Sequence, residues 1–273
     1  MLVFKRFHHV VVGVRDVKTA AVDWQRLFGG PAMQPRERPG PANDWTSVRF
    51  PVGGAWIELA QPLTEGSPLG RFLEAYGQGV YSVGVQVNDV AALAGRALRM
   101  GAQVLGDEDR PGEVYIDPKS TNGVLLGLHA EGARAEGRSM FRRFHHIVVA
   151  VRDHKAAAAN WEKLFGTRPH PEGPDRVIVP SHIPVGNAWF GLTAEGTDAP
   201  AVSRFLERRG EGVYLLSLVV DDVKKSAAAI RERGGRVIGD ENRPGQVFVH
   251  PATTHGVLVE LSDDAVRMWP DEA

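Results

Sequence analysis

Two histidine pairs carry most of the chemistry this chain can offer. Residues 7–14 read Phe7-His8-His9-Val10-Val11-Val12-Gly13-Val14, and residues 144–151 read Phe144-His145-His146-Ile147-Val148-Val149-Ala150-Val151. An imidazole can bind a metal through either ring nitrogen or move a proton near neutral pH, and it can equally be a hydrogen-bonded structural group. The chain has no cysteine, so disulfides and thiolate ligands are excluded and His, Asp and Glu remain as metal ligands. Glu58, in Ala55-Trp56-Ile57-Glu58-Leu59-Ala60, and Glu260, in Leu258-Val259-Glu260-Leu261, are carboxylates within apolar runs. Such a group is costly to desolvate, and either a metal ion or a salt bridge to a neighbouring Arg compensates it.

The elements that must hold these residues follow from periodicity. Residues Phe7–Val14 form a β-branched strand whose period of two puts His9, Val11 and Gly13 on one face, and His8, Val10, Val12 and Val14 on the other. The Val-rich face packs on the following helix, so His9 points into a cleft, while His8, like His145, is structural. Arg15-Asp16 opens that helix. Val17, Ala21, Trp24, Leu27 and Phe28 recur at helical spacing until Gly29-Gly30 stops it, which makes Trp24, and likewise Trp161, packing residues. A Pro-rich loop from Pro31 to Pro41 leads to strands at Trp45–Phe50 and Ala55–Ala60, with Trp56 and Glu58 on one face. Ser67 caps a short helix ending at Tyr76. A second strand follows at 79–87, then a helix to Met100, a loop through Arg110-Pro111-Gly112, and strands near 113–117 and 123–128. Ser82, Gln86 and His129 share the cleft face of this unit.

The second half repeats the first. Arg-Asp and a helix ending in Trp-x-x-Leu-Phe-Gly follow both His-His strands, an agreement over about twenty residues. Pro184-Val185-Gly186 matches Pro51-Val52-Gly53, and Gly212-Val213-Tyr214 matches Gly79-Val80-Tyr81. The fold class is therefore α+β: four βαβββ modules, at about 6–62, 79–130, 143–194 and 212–263, forming two curved mixed sheets. They make an N-terminal domain of residues 1–130, a linker of 131–142 and a C-terminal domain of 143–273. At 273 residues two domains are expected. A formal charge of −1 gives no basic field for nucleic acid, no run approaches a membrane span, and the start lacks a signal-peptide pattern. The expectation is a cytoplasmic monomer or homodimer acting on a small molecule, with no nucleic-acid or membrane partner.

Four such modules, opening on Phe-His-His or Gly-Val-Tyr and closing on strands such as His250-Pro251-Ala252-Thr253-Thr254-His255-Gly256-Val257-Leu258-Val259-Glu260-Leu261, resemble the vicinal oxygen chelate superfamily of tandem glyoxalase-like domains. That superfamily includes glyoxalase I, methylmalonyl-CoA epimerase, extradiol dioxygenases and antibiotic-resistance proteins. Ser67-Pro68-Leu69-Gly70-Arg71-Phe72-Leu73-Glu74 and Arg204-Phe205-Leu206-Glu207 are most similar to the connector of the epimerase branch. The resemblance implies one ligand position on the first strand and one on the last strand of each module. Module one carries His9 and Glu58; module two has Ser82 and Gly127; module three has His146 and Gly191; module four has Leu215 and Glu260.

The resemblance also implies one divalent metal ion, with Co, Ni, Mn, Zn, Mg or Fe as candidates, and an enolate-like intermediate. If neighbouring modules pair, His9 joins Glu58 in one cleft and His146 joins Glu260 in the other. If outer and inner modules pair, His9, Glu58 and Glu260 form one site and His146 is left alone. The expected activity is that of an isomerase, epimerase or lyase on a small carbonyl metabolite. Glu260 is the catalytic base by position, and Glu37 or Asp44 is available as a second base. Trp56, Trp189, Ser82 and Gln86 are substrate-binding candidates. His250 and His255, beside the last hairpin, have at most a minor acid–base role. A metal-free sequestering protein with apolar clefts is the alternative, and an extradiol dioxygenase a further one. Tyr81-Ser82 and Tyr214-Leu215 replace the epimerase's second histidine pair, and no Lys/Arg cluster stands out for CoA phosphates.

Overall fold

The computed structural model describes residues 4–30, 36–38, 44–106, 113–130, 132, 134–167, 169, 181–194, 200–240 and 247–263. Within the expected loop from Pro31 to Pro41, Arg36–Arg38 forms a short strand paired to Trp45–Ser47, and the rest of that loop, the loop at Arg110-Pro111-Gly112 and part of the expected linker lie outside these residues. Module one contributes β1 (Phe4–Gly13), α1 (Val17–Phe28), β2 (Arg36–Arg38), β3 (Trp45–Val52) and β4 (Ala55–Pro62). After the connecting helix α2 (Pro68–Tyr76), module two gives β5 (Gly79–Val87), α3 (Val90–Arg99), β6 (Val104–Gly106), β7 (Glu113–Ile116) and β8 (Leu125–His129). The second half runs β9 (Phe141–Val151), α4 (His154–Phe165), β10 (Ser181–Val185), β11 (Ala188–Ala194), α5 (Pro200–Arg209), β12 (Gly212–Val220), α6 (Val223–Glu232), β13 (Val237–Gly239), β14 (Val247–Val249) and β15 (Leu258–Ser262). Among the described residues no helix is long and apolar enough to cross a membrane.

One local device recurs in all four modules. Two or three residues after the first strand, an Asp caps the next helix: Asp16 accepts from the Lys18 and Thr19 amides, Asp89 from Ala92, Asp153 from Ala156 and Asp222 from Lys225. Each cap satisfies backbone donors that the first helical turn leaves without intrahelical partners.

The strands form two mixed sheets, ordered β2-β3-β4-β1-β5-β8-β7-β6 and β10-β11-β9-β12-β15-β14-β13. Neighbouring modules therefore pair. The first strands of modules one and two run antiparallel side by side, with His9 opposite Gly84, and those of modules three and four do the same, with His146 opposite Ser217. Outer pairing, the arrangement that would have gathered His9, Glu58 and Glu260, does not occur: β15 belongs to the second sheet, beside β12. The physical reason lies in the first strands themselves, whose backbone groups are satisfied by the neighbouring module of the same half.

The helix-covered faces of both sheets share one continuous core, in which Phe7 packs edge-on against Phe144 and Phe190, and Phe4 against Phe165. Trp24 and Trp161 are fully buried in it, as packing residues. Two glycine turns bring the halves together: a Cβ on Gly53 would sit 2.2 Å from the Arg142 carbonyl oxygen, and one on Gly186 would sit 1.9 Å from that of Lys5. Both residues have positive φ, so backbone conformation and close approach each demand glycine.

Candidate functional site

The first cleft is built on β1, and β1 is not a regular strand there. Its pairing with β5 shifts register between Phe7 and His9, which marks a β-bulge. Phe7 and Val10 still enter the core, so the two residues between them both face the cleft. His8 is therefore not on the helix-packing face that strict alternation assigns to it. The second sheet carries the same irregularity, with Ser217 opposite His146 and Leu218 opposite Phe144. There His145 Nδ1 lies 2.7 Å from His146 Nδ1.

The bulge assembles a cluster. His8 Nδ1 lies 2.9 Å from His9 Nδ1, the His8 ring stacks on His129 at 4.4 Å, and His9 meets His129 edge-on at 5.0 Å. One nitrogen from each of His8, His9 and His129 falls within 4.8 Å of the others, and all three residues are buried. The room for this comes from two glycines of module two, one of them the lost ligand position Gly127. A Cβ on Gly84 would stand 2.6 Å from the His9 ring, and one on Gly127 would stand 2.9 Å from His129 Nε2. Where module four has Glu260, module two has a glycine, and the imidazole of His129, two residues further along, folds over it. Trp56 backs the cluster, parallel to His9 within 8° at 5.8 Å and edge-on to His8 at 4.6 Å.

Glu58 lies opposite Val11, two register positions along from the His9–Trp56 pair and on the same face of its strand. Its Oε1 accepts from Ser47 Oγ at 2.7 Å and Trp45 Nε1 at 3.2 Å, and its Oε2 accepts from Arg49 Nε at 2.9 Å. Arg49 in turn lies over Trp56. Glu58 thus makes the salt bridge that compensates a buried carboxylate. Gln86 accepts from Arg6 Nε at 2.8 Å and reaches towards the Ala130 carbonyl, so its amide is engaged at the end of the cleft.

A cavity of about 350 Å³ opens from the other end of this cleft, walled by Trp45, Phe72, Tyr81, Tyr115 and Phe205. Ser82 also lines it, and Tyr115 links it to the cluster by an edge contact with His129. Desolvation pushes the Tyr81 hydroxyl up to about 12. It therefore stays protonated through the neutral range and acts as a hydrogen-bond donor. Arg209 comes from the second half: it donates to the Gln78 carbonyl at 2.8 Å and lies over Phe72 and Phe205, and burial lowers its pKa. Phe205 and Arg209, both from the second half, complete the cavity of the first cleft.

The second cleft holds His146 and Glu260 together, with Nε2 and Oε2 3.2 Å apart. Trp189 stacks on His146 at 3.9 Å, and His182 stands edge-on to Trp189. Burial, then the neighbouring His145 and His182, hold His146 well below the usual imidazole range. Val148, Trp189 and Leu215, with Tyr214, Phe248 and Leu258, pack into an apolar cluster on this face. Leu215 and Phe248 take the places held in the first cleft by Ser82 and Tyr115. Elsewhere, His250 caps a 3₁₀ turn through the Ala252 amide, and His255 bonds Asp23 across the domain junction at 3.0 Å.

Of the sequence-derived site residues, the structure brings His9 and Glu58 into one cleft and His146 and Glu260 into the other. Trp56 and Trp189 lie against those histidines, Ser82 lines the cavity, and Gln86 binds Arg6. The residues that sequence reasoning left out of the site are His8, Tyr81, Tyr115 and Arg209. The signal for His8 was its repetition beside His9 in both halves.

The Glyoxalase/Bleomycin resistance protein/Dioxygenase superfamily model matches residues 8–116 and 145–250. The chain is 32% identical to an ethylmalonyl-CoA/methylmalonyl-CoA epimerase of Cereibacter sphaeroides over 130 residues, spanning 45% of this chain and 96% of that protein. It is 27% identical to the mitochondrial methylmalonyl-CoA epimerase of Bos taurus over 131 residues, 44% of this chain and 73% of that protein. A mutant of 4-hydroxymandelate synthase from Streptomyces coelicolor superposes with a TM-score of 0.72 at 17% identity, covering 94% of this chain and 92% of that one. The last likeness concerns the fold.

Proposed function

This chain belongs to the glyoxalase/bleomycin resistance protein/dioxygenase superfamily, and from that premise we propose that its N-terminal cleft is the working site of a divalent-metal-dependent isomerase, epimerase or lyase. The observation that carries the reading is the convergence of His8, His9 and His129 beside a cavity that contains a protonated tyrosine. Their chemistry fits a metal ion. The 2.9 Å Nδ1–Nδ1 approach of His8 and His9 recurs at 2.7 Å between His145 and His146, so a shared proton accounts for it, and the third imidazole, His129, is what makes the first cluster a ligand set. An all-nitrogen set favours Zn, Co, Ni or Fe(II) over Mg. A bound ion would polarise a substrate carbonyl and stabilise the enolate formed as the adjacent proton passes to Glu58, the carboxylate on the cleft face of β4.

The remaining roles belong to the cavity. Tyr81, protonated through neutral pH, and the hydroxyl of Ser82 donate hydrogen bonds to a developing oxyanion. Arg209 receives an anionic substituent, and the aromatic walls hold an apolar one while excluding water. Glu260, the base expected by position, is on the second sheet against His146. We assign that pair to holding the second cleft together. Ser47, Trp45 and Arg49 hold the Glu58 carboxylate in place as the proton acceptor of the first cleft in this reading.

Proton exchange tests the proposal. The metal-loaded protein, incubated in D2O with short-chain 2-oxo acids and acyl thioesters, should wash deuterium into the carbon next to the carbonyl, read by proton NMR. His9→Ala should abolish the exchange. Exchange in His9→Ala equal to wild type, or none above buffer for any compound, would overturn it.

A further inference from the structure

The cavity beside the imidazole cluster is charged at one end and aromatic along its length. Exposure rises along it: Trp45 and Ser82 are buried at the inner end, Tyr81 and Phe72 are half-buried, and Tyr76 and Leu105 are exposed at the mouth. Both halves build that mouth. Phe72 and Tyr76 come from α2, and Phe205 and Arg209 from α5. The two helices correspond residue for residue, so Arg209 stands where the first half has Tyr76, and Glu211 where it has Gln78.

Arg209 and Glu211 are the charged residues among the described lining. Glu211 is committed elsewhere, since its Oε1 accepts from the Arg152 amide at 2.7 Å and its Oε2 from Asn122 Nδ2 at 3.0 Å. Arg209 has the Gln78 carbonyl as its single hydrogen-bond partner among the described residues, bound through Nη1. Its guanidinium lies against Gly79, where a Cβ would stand 2.8 Å from Nη2, and faces the rings of Phe72 and Phe205 at 5.8 and 6.0 Å. A carbonyl orients a guanidinium without cancelling its charge, so Nε and Nη2 are left for a carboxylate.

Between that charge and the imidazoles the walls are rings. Tyr81 stands at 80° to Trp45 and 70° to Phe72, with centroids 6.2 and 5.3 Å away. Rings set nearly at right angles form a slot in which a flat ring stacks on one wall and meets the others edge-on. The volume of about 350 Å³ is near the lower end of small-molecule sites and suits one ring with short substituents. A single side chain, Phe72, separates Tyr81 from Arg209.

Resting on the reading of this cavity as the substrate site, we infer that the substrate class is an aromatic carboxylate bound with its charge outward. The carboxylate lies on Arg209 at the mouth, the ring lies in the slot, and the reacting carbonyl lies on the far side of the ring towards His129. The charge that anchors the compound is therefore remote from the carbonyl that reacts.

The test is isothermal titration of the full-length protein, as purified and again after chelator treatment, with 3-phenylpropionate, its primary amide and hexanoate. The aromatic acid should bind at least about tenfold more tightly than the amide, the scale of one charge-assisted hydrogen bond. It should bind about two- to tenfold more tightly than hexanoate. Chelation should leave these affinities unchanged, because the carboxylate is held by Arg209. Arg209→Gln should remove the preference for the acid and leave the amide as in wild type, which separates lost charge from lost structure. No binding of the acid, equal binding of acid and amide, equal binding of hexanoate, loss of the acid on chelation, or a preference for the acid that survives in Arg209→Gln would each overturn the inference. Acid binding that persists in a protein without exchange supports it and counts against the catalytic reading alone.

Discussion

The two clefts begin from nearly the same strand and end as different chemistry. Each has a bulged His-His pair and a tryptophan against the second histidine. In the first, glycines at 84 and 127 leave space, and three imidazoles converge beside an open cavity. In the second, Ser217 and Glu260 occupy those places, Glu260 meets His146, and Leu215 with Phe248 packs the face with apolar side chains. On the proposed function, loss of a ligand position is not loss of a site. The module that lost its carboxylate gained the volume in which His129 sits. The module that kept it uses it in a buried pair.

The largest effects should come from removing the first cleft's histidines. His9→Ala and His129→Ala each should lower the exchange rate by a factor on the order of 10³ or more, because the loss of a Lewis acid is worth several kcal/mol. NMR exchange rates on the folded variants check this. In the second cleft the same kind of change should act on stability. His146→Ala takes a neutral buried imidazole away from Glu260, and the loss of such a buried partner costs about 1–3 kcal/mol, visible in urea unfolding, with the rate per folded molecule unchanged.

A transplant makes the comparison sharper. Ser82→Leu gives the first cleft the residue of the second, and should fill part of the cavity and weaken ligand binding by about 10–200-fold while the metal stays. Smaller again, Arg209→Gln should raise KM for an anionic substrate about tenfold and leave kcat within a fewfold, as expected when a binding contact outside the reacting centre is removed.

Much of the fold was legible because its signals are local and repeated. Val17–Phe28 and Gly79–Val87 follow directly from helical and alternating spacing, and the four Asp caps precede each helix in the same way. The candidate site was less legible for three physical reasons. Strict alternation placed His8 in the core, and a bulge that breaks the period leaves no mark in composition. Gly127 read as a lost ligand position, whereas its worth, like that of Gly84, lies in the space left for side chains from β1 and from further along β8. The choice of module pairing, and with it the fate of Glu260, depends on long-range strand contacts that residue types do not specify. Arg209 shows the same limit: it belongs to the second half in sequence and to the first cleft in space.

The central claim is that metal belongs to the first cleft and not to the second. Metal content per chain, measured on wild type, His129→Ala and Glu260→Gln purified alike, tests it most directly. The account predicts about one equivalent in wild type and in Glu260→Gln, and almost none in His129→Ala. Metal kept by His129→Ala and lost from Glu260→Gln would contradict it.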